Sequence, residues 1–247
     1  MGAKWNKWKH YQVMKEEEAL LNYLPETQLL TEQSLWELMN KYNHVIIKPR
    51  QGVLGRGITQ VSFIGKDLYE IHAENRKITL TSREEVYNNL NDLKKLLHYK
   101  PYIVQQKIPL ATIDDCPFDL RVMVQRKKNS ATWVVTGKLA KVAAKGFFIT
   151  NVAQNILPVE EAIQHSSLCQ IHLQIQDLLS HIDRSALLAA TQLETFYPKY
   201  RTIGFDIGLD QKGKVWIIEA NFKSMISMFD LLKDKTMYQT IKSYEEG

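Results

Sequence analysis

The stretch TIGFDIGLDQKGKVWIIEAN, residues 202–221, restricts the fold of this chain more than any other. Two apolar runs flank Asp210-Gln211-Lys212-Gly213, a polar, glycine-ended cluster of the kind that reverses a chain, so the segment reads as a β-hairpin. Side chains alternate across a strand, and parity assigns each residue to a face. With the turn centred on Gln211-Lys212, Asp206 is expected opposite Ile217 and Gly204 opposite Glu219. One face then carries Gly204, Asp206, Gly208, Ile217, Glu219 and Asn221. The other carries Phe205, Ile207, Leu209, Trp216, Ile218 and Ala220, is wholly apolar, and must cover a core.

The first face gathers two carboxylates and an amide with glycines between them, and glycine leaves room for a ligand to approach a sheet. Two carboxylates this near repel unless a cation lies between them. Oxygen-rich ligation of this kind suits Mg²⁺ or Mn²⁺ bridging to phosphates. A polar sheet face turned to solvent is the plainer alternative. The Glu219-x-Asn221 pair alone fits that alternative, whereas the segregated faces with interposed glycines favour the metal.

The rest of the chain reads as alternating strands and helices. Thr31–Tyr42 is expected as a helix from the spacing of Leu35, Leu38, Met39 and Tyr42, followed by the strand HVIIKP. A β-rich stretch runs from Ile58 to Thr81, and Ser82-Arg83-Glu84-Glu85 forms a capping box for a helix continued by Val86, Leu90, Leu93 and Leu97. YIVQQKI, FDLRVMVQR and ATWVVTGKLAKV read as strands. Val159 to about Tyr197 reads as two helices meeting near Asp183, and Asp230–Tyr244 as a closing helix. The order implies an α/β or α+β protein with sheets backed by helices.

Composition narrows the function. No apolar run reaches the roughly 18 residues of a membrane helix, and MGAKWNKWKH lacks the apolar stretch of a signal peptide, so a cytoplasmic protein with no membrane partner is expected. Cys116 and Cys169 are far apart and form no zinc or disulfide pattern. The net charge of +5 fits scattered solvating lysines and calls for no nucleic-acid partner.

A second chemical motif precedes the hairpin. In VIIKPRQGVLGRGI a strand ends in Lys48-Pro49 and opens a loop with Gly52, Gly55, Arg56 and Gly57. Such a loop exposes backbone N–H groups while the lysine adds positive charge, although its spacing is neither a Walker motif nor a dinucleotide fingerprint. Taken in order, K-P-x-x-G-x-x-G-x-G, YIVQQKI, DLRVMV, K-x-x-x-G-x-F-x-T-N, FDIGLD and IIEAN resemble the ATP-grasp superfamily from about Trp5 onward. The chain most resembles the YheC/YheD-like branch, linked to the coat of endospores, and is similar to RimK-type ligases and glutathione synthetases.

The resemblance implies an α+β ATP-grasp fold, with ATP held between two α+β lobes. It divides the chain into an N-terminal extension (1–30), a small lobe with the glycine loop (31–104) and a large lobe with the metal hairpin (105–247). It implies Lys48 on the α/β phosphates, Gly52–Gly57 as a lid, and Gln105, Gln106, Lys107 and Ile108 at the adenine. Asp119 would meet the ribose and Asn151 would lie near the nucleotide. Arg121 is a phosphate or substrate contact, or else the ion-pair partner of Asp119. Lys141 falls where related ligases place a γ-phosphate arginine, with Lys138 sharing that work, and Asp206, Glu219 and Asn221 hold Mg²⁺ or Mn²⁺.

Relatives carry a further domain before this core, whereas this chain begins almost at the core. That domain is expected to be missing, cleaved or supplied by a protein partner. A Gly-Gly turn is absent from NVAQNILPV, and EANFKSMISMF replaces the usual continuation, so the acceptor side departs from the pattern. The resemblance implies a ligase joining a small-molecule or peptide carboxylate to an amine or thiol through an acyl phosphate, with spore association. A nucleotide-binding assembly protein of the spore and an ATP-dependent phosphotransferase are the alternatives.

Overall fold

In a computed structural model, residues 6–52, 55–96, 101–170 and 174–246 are described. Trp5 and Leu97, both used in reading the sequence, lie outside the described residues. Asn6 caps the first helix, α1 (Lys7–Lys15), its side chain accepting from the Lys9 N–H. A 3₁₀ turn, Glu18–Tyr23, and a short strand, β1 (Thr27–Leu29), follow. Thr31 and Ser34 form a reciprocal capping box for α2 (Glu32–Tyr42), which ends at Asn43 in the left-handed conformation.

Next come β2 (His44–Pro49), β3 (Thr59–Gly65), β4 (Leu68–Ala73) and β5 (Arg76–Leu80), then α3 (Arg83–Leu96) and β6 (Tyr102–Gln106). The Ser82 hydroxyl accepts from the Glu85 N–H as expected, but the Glu85 carboxylate reaches back to the Thr81 N–H. These strands form a six-stranded antiparallel sheet ordered β1-β6-β2-β3-β4-β5. Leu35, Leu38 and Met39 of α2 and Val86 and Leu90 of α3 cover one face, packing on Val45, Ile47, Val61 and Val104.

The second sheet holds β7 (Thr112–Ile113), β8 (Cys116–Gln125), β9 (Val134–Ala143), β10 (Ala153–Leu157), β11 (Thr202–Leu209) and β12 (Val215–Asn221). Its order is β10-β9-β8-β11-β12, with β7 paired to β8. Between β10 and β11 lie α4 (Val159–Gln164) and α5 (Ile175–Phe196), and α6 (Thr236–Glu246) closes the chain. One face of this sheet carries the main core, in which Phe118, Phe205 and Ile207 pack on Ile182, Ala186, Ala189 and Leu193 of α5. Burial of side chains this large contributes roughly 1.5–3 kcal/mol each.

Three expectations are corrected. Helix α5 runs unbroken through Asp183, because Leu179, Ile182, Ala186 and Ala189 keep one apolar face in register across it. The break falls earlier, between α4 and α5. Residues before 31 are no mere extension: β1 joins the first sheet beside β6, while Tyr11, Val13, Met14 and Leu20 enter the main core. The inter-lobe boundary also shifts, since Gln105 and Gln106 still belong to β6 of the first sheet.

Candidate functional site

The hairpin that opened the sequence reading forms, but in a different register. Asp210 N–H donates to the Lys214 carbonyl, which makes a three-residue turn with Gly213 left-handed at φ +78°. Leu209 therefore pairs with Val215 and Ile207 with Ile217. Beyond Ile207 a bulge inserts Ile218, after which Asp206 pairs with Glu219 and Gly204 with Asn221.

The turn slips the expected parity by one residue and the bulge restores it. Asp206, Glu219 and Asn221 thus share one face as expected, and Phe205 and Ala220 lie in the core. Ile217 is only 1% exposed in the core, whereas Ile218 points to the other side, with Trp216 beside Gly208; these three assignments are corrected.

That face forms one wall of a cavity of about 460 Å³ between the two sheets. From the first lobe Lys48, Gly52, Gly55, Gln105 and Gln106 line it, joined by Lys107 and Ile108 just beyond β6. From the second lobe come Asp119, Arg121, Lys141, Asn151, Asp206, Glu219 and Asn221. Gly55, with φ +68°, lies so near Asn151 that an added Cβ would sit 2.5 Å from its Cγ; glycine is required there. Arg56 is exposed, and neither it nor Gly57 lines the cavity.

Lys138 is a correction. It pairs with Val122 in the β8–β9 ladder, three residues from Lys141 and so on the opposite face. Its Nζ donates to both Asp183 carboxylate oxygens at 2.7 Å, behind the sheet. The two glutamines are partly explained by the first lobe: Gln105 Nε2 donates to Thr27 Oγ1 at 2.8 Å, and Gln106 Oε1 accepts from the Glu26 N–H.

The cleft face of the second sheet is a charge lattice. Arg121 Nε donates to Asp206 Oδ1 at 3.0 Å, and Lys141 Nζ donates to the same oxygen at 2.9 Å. Asp206 Oδ2 accepts from Asn221 Nδ2 at 3.0 Å. Arg121 therefore pairs with Asp206, and the alternative pairing with Asp119 is not the one formed. Asp119 Oδ2 accepts from Thr150 Oγ1 at 2.6 Å, while its Oδ1 lies 3.0 Å from Lys141 Nζ but off the hydrogen-bonding direction.

Burial alone would raise the Asp206 carboxyl, but the Arg121 and Lys141 charges outweigh it and hold it well below the carboxylate range. Burial dominates at Asp119 and pushes its carboxyl up, against Lys141. Lys48 is pushed down to about 8 by burial, opposed by Glu219 and reinforced by Lys7. Its Nζ donates at 3.4 Å to the Ile218 carbonyl, on the residue that the bulge adds to the strand.

Sequence reasoning missed three residues. Lys7, at the start of α1, places Nζ 3.5 Å from Glu219 Oε1 and 3.2 Å from the Gly52 carbonyl, bridging the glycine loop and the hairpin. Its backbone N–H donates to Arg50. Ser224 Oγ accepts from Arg121 Nη1 at 2.5 Å, standing where any Cβ at Gly204 would collide with it at 2.0 Å. Thr150 holds Asp119. Only Ser224 left a trace in the sequence, as the partner that Gly204 makes room for.

A family model described as YheC/D-like ATP-grasp matches residues 3–245. The chain belongs to the YheC/D-like ATP-grasp family. It is 28% identical over 232 residues to the endospore coat-associated protein YheD of Bacillus subtilis (strain 168). That match covers 91% of this chain and 49% of YheD, so the chain spans about half the length of this relative. Among solved structures, an ATP complex of biotin carboxylase from Campylobacter jejuni shares the fold at TM-score 0.59 and 14% identity, covering 98% of this chain and 46% of that one. An L-amino acid ligase from Bacillus licheniformis does so at TM-score 0.56 and 13% identity, covering 97% and 47%.

The ATP-grasp fold and its α+β class are therefore established for this chain. No described helix is long and apolar enough to cross a membrane. Within this YheC/D-like cleft, Lys7, Lys48, Arg121 and Lys141 face Asp119, Asp206 and Glu219, an arrangement suited to a polyanion that brings its own cation. Among the described residues no three His, Cys, Asp or Glu side chains converge as a metal cluster. Two carboxylates paired across the hairpin, plus the Asn221 amide oxygen, which its donation through Nδ2 to Asp206 does not use, nevertheless form a hard-oxygen set that fits Mg²⁺ or Mn²⁺.

Proposed function

We propose that this chain is an ATP- and Mg²⁺-dependent ligase that joins a carboxylate to an amine or thiol through an acyl phosphate. The observation that supports it best is the meeting of Lys48 and the glycine loop with the Asp206–Glu219–Asn221 face across one cavity. The ligase named among the structural neighbours and the coat association of YheD are consistent with a ligase acting in spore formation.

In this reading a carboxylate oxygen of the substrate attacks the γ-phosphorus of ATP and the β–γ bridging bond breaks, releasing ADP. The amine or thiol then attacks the acyl carbon, phosphate leaves, and the nucleophile loses its proton. Lys48 and Lys7 hold the phosphate chain, and Gly52 and Gly55 let the loop backbone approach it. Arg121 and Lys141 neutralise charge that develops on the transferred phosphoryl group. Asp206, Glu219 and Asn221 would hold Mg²⁺, which when bound shields the phosphate charges. Asp119, held by Thr150 and Lys141, would accept a ribose hydroxyl. No side-chain nucleophile is required.

Titration calorimetry with Mg·ATP tests the nucleotide half, and ADP release that depends on an added carboxylate tests the chemistry. Glu219→Ala is expected to abolish turnover while leaving the fold intact, since its ion pair to Lys7 is long. Full turnover in that variant would refute the metal assignment. The coat association of the relative favours a second reading, a nucleotide-binding assembly protein of the spore. Mg·ATP binding with no ADP formed from any acid or amine would select it.

A further inference from the structure

The cleft face of the second sheet changes character beyond the charge lattice. In the ladder, Arg121 pairs with Leu139 and Lys141 with Ile156, and Met123 pairs with Gly204. Met123 and Leu139 are fully buried under Phe229, Leu232 and Ile241. The segment after β12 that supplies this cover leaves other apolar side chains at the cavity: Met225 and Met228 line it together with Ile156. Met225 is 54% exposed, far more than a thioether needs to be if it served only the core.

These three side chains adjoin a cationic station. Ser224 precedes Met225, its Oγ held by Arg121, and Lys223 also lines the cavity. Nearby acids are already matched: Asp206 by Arg121 and Lys141, Asp119 by Lys141 and Thr150. An incoming carboxylate meets Arg121 and Lys223 at this end, whereas Glu219, the cavity acid with only a long ion pair, lies on β12 beside Lys7. Methionine adapts its unbranched chain to varied apolar shapes, so the wall selects for apolarity more than for one outline.

Resting on the ligase reading, we infer that the carboxylate substrate carries an apolar side group. Its carboxylate sits at Arg121 and Ser224, and the side group lies against Met225, Met228 and Ile156. A peptide or acylated amino acid ending in Leu, Met or Phe has this chemistry.

The test uses the full chain saturated with Mg²⁺ and a non-hydrolysable ATP analogue, titrated calorimetrically with N-acetyl-leucine, N-acetyl-alanine, N-acetyl-glutamate and N-acetyl-lysine. N-acetyl-leucine is expected to bind at least about tenfold tighter than the alanine compound, the low end of discrimination per methylene in an apolar pocket. The glutamate and lysine compounds are expected to bind more weakly still. Met225→Ser/Met228→Ser is expected to erase the preference while nucleotide affinity stays unchanged. Equal or tighter binding of the polar compounds, a preference surviving the double variant, or no binding of any compound to the nucleotide-loaded protein would overturn the inference. Failure of the protein to bind the nucleotide at all would instead overturn the ligase reading, and this inference with it.

Discussion

Lys48 reaches the cavity from a strand that leaves it only 3% exposed, and burial brings the titration of its ammonium towards neutrality. Burial lowers it from 10.5 to about 8. Between those values the unfolded chain binds the extra proton and the folded one does not, so stability rises with pH across that window. ATP phosphates favour the charged lysine, so binding above pH 8 must take up a proton. Affinity for Mg·ATP is therefore expected to fall with pH above about 8, by up to about tenfold per unit. Calorimetry in buffers of different ionisation heats checks both the fall and the proton. Lys48→Arg, always charged, should flatten the profile, and a flat wild-type profile would contradict this account. Two further residues separate site from scaffold. Asp206→Ala strands Arg121 and Lys141 without their shared oxygen and is expected to cost roughly 3–5 kcal/mol in urea unfolding. Lys138→Ala, behind the sheet on a partly exposed partner, should cost under about 1 kcal/mol and leave Mg·ATP affinity unchanged.

At the scale of elements, the hairpin shows what a sequence can carry. Apolar alternation located both strands, and the carboxylates were legible because they interrupt it. The register was not legible, because a two-residue and a three-residue turn both accept Asp210-Gln211-Lys212-Gly213, and a bulge has no local signature in a run such as Val-Trp-Ile-Ile. The two one-residue slips together restore parity beyond Ile218, which is why Asp206, Glu219 and Asn221 share a face as the pattern implies while Trp216, Ile217 and Ile218 lie on the faces opposite to those it implies. Lys138 failed for a related reason: motif position suggested it, but parity with Lys141 excludes it. Long-range partners such as Ser224 for Arg121 depend on how the chain returns over Gly204, which local pattern does not record. The bulge makes its own prediction. Ile217→Ala is expected to cost roughly 2–5 kcal/mol by opening a hole in the core. Ile218→Ala should cost under about 1 kcal/mol, yet weaken Mg·ATP binding by removing cavity wall. Equal costs for the two would mean that the bulge lies elsewhere.

Across the whole molecule, residues 6–30 tie the two sheets together. Tyr11, Val13, Met14, Leu20 and Leu24 sit in the core of the second sheet, while β1 hydrogen-bonds along β6 of the first. The two ends are joined directly, since the Thr27 N–H donates to the Tyr11 hydroxyl. The same segment carries Lys7 into the cavity, so its packing positions a cation between the glycine loop and Glu219. Its polar composition hid this, because the five core side chains are spread over α1 and a 3₁₀ turn without one repeating period. If the segment were an extension, deleting residues 1–30 would leave both lobes stable. The packing predicts otherwise: the truncated chain exposes the second sheet's core and is expected to lose its single cooperative urea transition. Because a deletion can fail for many reasons, Leu20→Ala provides the finer measurement. Fully buried, it should lower stability by roughly 2–5 kcal/mol while leaving every cavity residue in place. Stability within about 0.5 kcal/mol of wild type in that variant would show that the N-terminal segment is an appendage after all.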